Sequence, residues 1–135
     1  MVIRFEPLQK RLLRLDAACR RVHVAKVRRK YAAWSSGRIP LSRLCRDAGE
    51  ALQSYASEAR HAYLNVHAGR GSAAPAWAVD AFHEGISRAG VAMREAIEDA
   101  AARHAVAQAL QEQMLRAELH LYQLIKPAPV VERQA

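Results

Sequence analysis

Between Cys19 and Arg46 the chain carries nine Lys or Arg residues and no Asp or Glu. Cationic groups set this close repel one another, and a phosphate backbone relieves that repulsion by pairing with each of them. Arg14, Arg21 and Arg28 recur every seven residues, so they share one side of a helix. Lys26, Arg29 and Lys30 crowd the end of the same segment, Arg38 falls in the turn that follows, and Arg43 and Arg46 open the next segment. A hairpin at that turn gathers the last six groups at one tip. Tyr31 and Trp34 lie beside them and are of the type that stacks on unpaired bases. The chemistry implied is contact with a polyanion. The competing reading is a solvated basic face, or one that docks an acidic protein, with Tyr31 and Trp34 belonging to an apolar stripe. A membrane surface fits less well, because this helix needs its apolar side for packing.

Residues of metal-binding type occur without a coordinating pattern. Cys19 and Cys45 form neither a CxxC pair nor a zinc-ligand spacing. Glu58-x-x-His61 and Asp80-x-x-His83 have the spacing of half a carboxylate di-metal site, yet both pairs fall off the apolar stripes described below. No metal and no cofactor is therefore expected. "GRGS" at 69–72 follows a helical pattern rather than a strand and lacks the Lys of a phosphate-binding loop. The eight residues "RHAYLNVH", Arg60 to His67, resemble the HEPN ribonucleases, all-α proteins in which an Arg, often followed by a polar residue, precedes a His by a few positions. That resemblance implies His67 as the base and Arg60 as the phosphate ligand. The residues taken by themselves show no catalytic set, and the chain reads as non-enzymatic.

These groups have to be held by helices. No segment alternates with period two, whereas a helical period is clear. Leu41, Cys45, Ala48, Leu52, Tyr55, Ala59, Ala62 and Val66 predict a helix over 41–67. A longer series starts Phe82, Ile86, Ala89, Met93, Ala96, Ala100, Arg103, Ala107 and continues through Leu110, Met114, Ala117, Leu121 and Leu124. Its alternating steps of four and three are those of a coiled-coil seam and predict one helix over 75–126. Arg103 is the only charged member, with Asp99 as an i, i+4 partner; Glu112 and Arg116 have the same spacing. The first helix, 7–34, begins with a stripe of Leu8, Leu12, Leu15, Cys19 and Val22. A second stripe, Val24, Val27, Tyr31 and Trp34, is displaced by about 120° around the axis. Such a helix is expected to bend near residue 23 or to touch two neighbours.

The fold expected is all-α: an antiparallel three-helix bundle or coiled coil with one long C-terminal helix, a single domain over 1–126, and a disordered tail at 127–135. At about 75 Å the third helix outlasts partners of about 40 Å. Its seam at Leu110, Met114, Ala117, Leu121 and Leu124 would be bare, which predicts a homo-oligomer or a helical protein partner. The same geometry puts Cys19 and Cys45 about 15 Å apart along the hairpin, too far for a disulfide.

Composition supports a need for partners. Hydrophobic residues make up 51% of the chain, but 28 of them are Ala, so the core is thin. The net charge of +8 is divided: residues 1–46 hold 13 Lys or Arg against Glu6 and Asp16, while residues 47–135 carry more acids than bases. The first ten residues lack the apolar stretch of a secretory signal, and no uncharged run reaches membrane-spanning length. A cytoplasmic location and no membrane contact are expected. The function expected is a non-enzymatic, self-associating helical protein that binds the backbone of DNA or RNA through the basic tip, as a small subunit of a nucleoprotein complex would. The alternative is an adaptor or scaffold that works through the heptad seam and docks an acidic partner on the tip.

Overall fold

In a computed structural model the described residues are 8–65 and 75–124, with the side chains of 64, 65 and 120–124 outside that description. Four helices form: α1 (Leu8–Ser35), α2 (Leu41–Asn65), α3 (Ala76–Glu95) and α4 (Ala100–Leu124). The all-α class follows from the spacing; the single long C-terminal helix does not form. No helix among the described residues is long and apolar enough to cross a membrane. The expected tail at 127–135 and the loop at 69–72 lie outside the described residues.

The turn after α1 is closed by glycine. Gly37 has φ +80°, a region that a Cβ disfavours. Gly37 N–H donates to the Trp34 carbonyl at 2.9 Å and Arg38 N–H to the Ala33 carbonyl at 2.8 Å, the paired bonds that satisfy a helix C-terminus. The Pro40 carbonyl then accepts from Arg43 and Leu44 and starts α2. Contacts Lys30–Asp47, Cys19–Glu58 and Asp16–Tyr63 rise on one helix as they fall on the other, so α1 and α2 are antiparallel. Helix α2 touches the other three, and α1 and α4 both pack on α2 and α3. Val27, Leu44, Leu52, Tyr55, Phe82, Ile86 and Met93 fill the space between them.

Helix α1 turns a different side inward from the one its leucines suggest. Leu8, Leu15 and Val22 are 49%, 58% and 55% exposed. The inner side runs Leu12, Asp16, Arg20, His23, Val27, Tyr31 and Trp34, each buried or half-buried. Those steps average about 3.7 residues, close to the 3.6 of a straight helix. One continuous face therefore replaces the two displaced stripes, and three polar residues occupy its middle.

The break between α3 and α4 has a definite cause. Helix α3 ends at Glu95 with Ala96 as its C-cap, Ile97 turns fully into the core, and Asp99 restarts the chain as an N-cap, its Oδ1 accepting the Ala102 N–H at 2.8 Å. Arg103 closes the corner by donating from Nε to the Ile97 carbonyl at 2.7 Å. Asp99 N–H reaches the Tyr31 hydroxyl at 3.1 Å. Folding back buries Ile97, Val106 and Leu110, at roughly 1.5–3 kcal/mol each. The backbone groups freed by the break are worth only about 1 kcal/mol net apiece, and side chains satisfy several of them. Burial wins.

That outcome corrects the expected oligomer seam. Leu110 is 1% exposed, and Met114 and Ala117 are partly buried against the chain's own core. The side chains of Leu121 and Leu124 are outside the described residues. Arg103 likewise serves the corner rather than a coiled-coil register, whereas Glu112 and Arg116 pair at 2.9 Å as their spacing implies. Replacing Asp99 by Ala should cost about 1 kcal/mol, read as a fall of roughly 4 °C in the thermal midpoint, and Asp99→Ser should restore most of it.

Candidate functional site

Folding distributes the basic residues over two sides of α1. Lys26, Arg29, Lys30 and Arg43 line one groove between α1 and α2, with Asp47, Glu50, Ala51 and Ser54. Asp47 draws three cations together: Lys30 Nζ at 3.4 Å, Arg43 Nε at 3.2 Å and Arg46 Nε at 3.8 Å. Asp47 and Glu50 offset part of the groove's charge, and Asp47 fixes where three of its cations stand. Arg38 is exposed in the turn, and Arg14 and Arg21 are exposed on α1 without lining the groove. Arg28 lines a separate hollow that contains Glu95 and Glu98.

Tyr31 and Trp34 have a packing role. Their rings stack at 5.8 Å with planes 30° apart, and both lie partly buried against the core. The Tyr31 hydroxyl holds the α3–α4 corner through Asp99. They pack as part of the apolar stripe, and Tyr31 also lines the hollow beside Arg28.

A polar cluster that sequence spacing did not indicate lies at the junction of α1, α2 and α3. Asp16 is 8% exposed. Its Oδ1 accepts from the Tyr55 hydroxyl at 2.5 Å, and its Oδ2 from Tyr63 at 2.9 Å and from Arg20 Nη1 at 3.2 Å. Arg20 also donates to the Tyr55 oxygen at 3.3 Å. Burial raises the pKa of both phenols, and the Asp16 carboxylate raises it further by bonding and by charge. Burial opposes the Arg20 guanidinium, but Tyr55 and Asp16 together hold its pKa above the ordinary value. Gly85 of α3 makes room for this cluster: a Cβ there would overlap the Tyr55 hydroxyl and stand 3.0 Å from Asp16 Oδ2.

One helical turn further along α1, Cys19 and His23 face Glu58 of α2. The Cys19 thiol donates to Glu58 Oε2 at 2.9 Å, and His23 Nε2 lies 3.7 Å from the same oxygen. Burial, then the bond to Glu58 and its charge, push the thiol pKa up to about 12. A nucleophilic cysteine needs the opposite shift; the surroundings of Cys19 favour the neutral thiol. Cys45 is also free, and burial raises its pKa. The sequence signal was present in Cys19 and His23 at i, i+4 on the side that carries Asp16, but the partner Glu58 is 35 residues beyond His23.

Among the described residues, neither His61 nor His83 joins a group of three metal-ligating side chains. Glu58 turns to Cys19 and His23, while His61 is exposed. Asp80 lines a hollow with Asp16, Arg20, Glu84 and Arg88, and His83 is not among its walls. Arg60 is half-buried beside Gln53, Phe82 and Arg116, and His67 lies outside the described residues.

Gly85→Ala should destabilise the chain by about 1–3 kcal/mol through overpacking. Gly90→Ala should cost less, because the nearest atom, Met114 Sδ at 2.8 Å, belongs to a flexible side chain that can swing aside. The phenols give a pH signature. Their pKa values are raised above the ordinary value of about 10. The stability they supply as neutral donors is complete below pH about 10 and is lost as pH rises through the raised values. Urea midpoints should hold steady up to about pH 10 and fall as the pH rises beyond it, and fall less in Tyr63→Phe, which retains one titrating phenol of the pair. Comparisons of the chain with family descriptions, curated proteins and solved structures find no match.

Proposed function

We propose that the protein is a non-catalytic helical module that binds the phosphate backbone of a nucleic acid along the α1–α2 groove. The observation that supports this is the grouping of Lys26, Arg29, Lys30 and Arg43 along one groove, with Arg46 beside it, against only Asp47 and Glu50. Asp47 holds Lys30, Arg43 and Arg46 in place before a ligand arrives, which reduces the ordering that binding requires. Contacts of this type read charge and spacing and carry no base preference. DNA and RNA are both suitable. Two free thiols and a polyanionic partner fit a reducing cytoplasm.

A second reading, an adaptor or self-associating scaffold, draws on a different surface from the heptad seam. Leu8, Leu15 and Val22 are exposed at steps of seven along α1, and Leu115 and Leu119 are exposed on α4. Light scattering after size exclusion separates the two readings. Assembly lost in Leu15→Glu with oligonucleotide binding absent would favour the scaffold.

Titration of a short labelled oligonucleotide at several salt concentrations tests the first reading. With about four phosphates engaged, log K should fall against log salt with a slope of about −3 to −4. Lys26→Glu combined with Arg29→Glu should weaken binding about tenfold or more, with helicity unchanged. Arg28→Glu, on the other side of α1, should have much less effect. Salt-insensitive binding, or none, would sink the proposal.

A further inference from the structure

The geometry points to a metal site: Cys19, His23 and Glu58 bind one divalent cation of the zinc type between α1 and α2. Cys19 and His23 are four residues apart, so their side chains leave α1 on the same side. Glu58 approaches from α2, and one donor atom from each of the three lies within 4.8 Å of the others. Thiolate sulfur, imidazole nitrogen and carboxylate oxygen are the ligand types that zinc takes. With metal–ligand bonds of about 2.0–2.3 Å, the edges of a tetrahedral site measure about 3.4–3.6 Å. His23 Nε2 and Glu58 Oε2, 3.7 Å apart, already stand close to that edge.

The imidazole is prepared for ligation. His23 is 3% exposed, with its ring against Tyr55 at 6.3 Å between centroids. Its Nδ1 lies 2.9 Å from the Cys19 carbonyl oxygen. With Nδ1 as the N–H, that bond leaves the Nε2 lone pair free, 3.7 Å from Glu58 Oε2, the arrangement by which a backbone carbonyl orients a ligating histidine. At 3.7 Å, Nε2 and Glu58 Oε2 stand beyond hydrogen-bond reach and within ion-pair distance of each other. A metal ion between them would engage both atoms.

Binding is an exchange of a proton for the metal. The Cys19 S–H bond breaks, its proton passes to solvent, and a sulfur–metal bond forms in its place. The Sγ–Oε2 separation of 2.9 Å then widens toward a ligand edge. Glu58 permits this, since its side chain is 61% exposed. Water reaches the fourth position from that open side. None of the three ligands lines the basic groove, so the site stands or falls separately from nucleic-acid binding.

Reduced full-length chain, stripped with a chelator, should take up one Co(II) per chain with thiolate-to-cobalt charge-transfer absorption in the near ultraviolet. Zn(II) should remove that absorption by displacement and raise the thermal midpoint. Cys45→Ser should keep the band and Cys19→Ser should lose it. Glu58→Gln, at an exposed side chain with the helical circular dichroism retained, should weaken Co(II) binding about tenfold or more. Co(II) uptake without the charge-transfer band, a band that survives Cys19→Ser, or a midpoint unmoved by Zn(II) overturns the site.

Discussion

Asp16 is a carboxylate held almost out of water where α1, α2 and α3 meet, and its oxygens receive two tyrosine hydroxyls and a guanidinium. Removing one partner from a buried charge typically costs about 3–5 kcal/mol, more than most single apolar contacts in a core this rich in alanine. The cluster therefore limits how the helices can lie on one another. Tyr55 and Tyr63 must reach α1 from α2, eight residues apart on one face. Gly85 must come close enough from α3 that no side chain fits there. Arg20 completes the junction over the Tyr55 ring, 6.0 Å from its centroid. Sliding α1 along α2 by one turn would strand the charge, so the cluster sets the register that everything further along the hairpin inherits.

That register decides the chemistry along the line where α1 and α2 meet. Cys19, His23, Lys26 and Lys30 follow one another at helical spacing on α1, opposite Glu58, Ser54, Ala51 and Asp47 on α2. The sequence of contacts passes from a thiol–imidazole–carboxylate group to a cationic groove within three turns. Lys26 belongs to both regions: it lines the groove, and its charge works against the rise in the Cys19 pKa. Asp47 has the complementary role at the far end, where it spaces three cations that would otherwise separate.

The corner between α3 and α4 shows how a seam with correct periodicity still failed as a prediction. Spacing of three and four continues unbroken through Ala96, Ala100 and Arg103, because nothing in those side chains opposes a helix. Ile97 is off that seam, and its burial depends on a core that only the assembled helices provide. Asp99 carried the one local signal, since Asp is a preferred N-cap. Its i, i+4 spacing to Arg103 suggested an ion pair instead. In the fold Asp99 caps the Ala102 amide and Arg103 binds a carbonyl.

The sequence by itself determined the helical class, the turn that carries Arg38, the two free thiols and the concentration of positive charge in the first third. Each of these rests on local backbone preference or on simple counting along the chain. Tertiary structure alone decided which side of α1 is interior, because Asp16, Arg20 and His23 take inner positions that hydropathy assigns to the surface. It also decided which cations share a groove and that Cys19 and His23 meet Glu58. Those outcomes depend on groups that are dozens of residues apart until a buried carboxylate with three donors sets the helices in register.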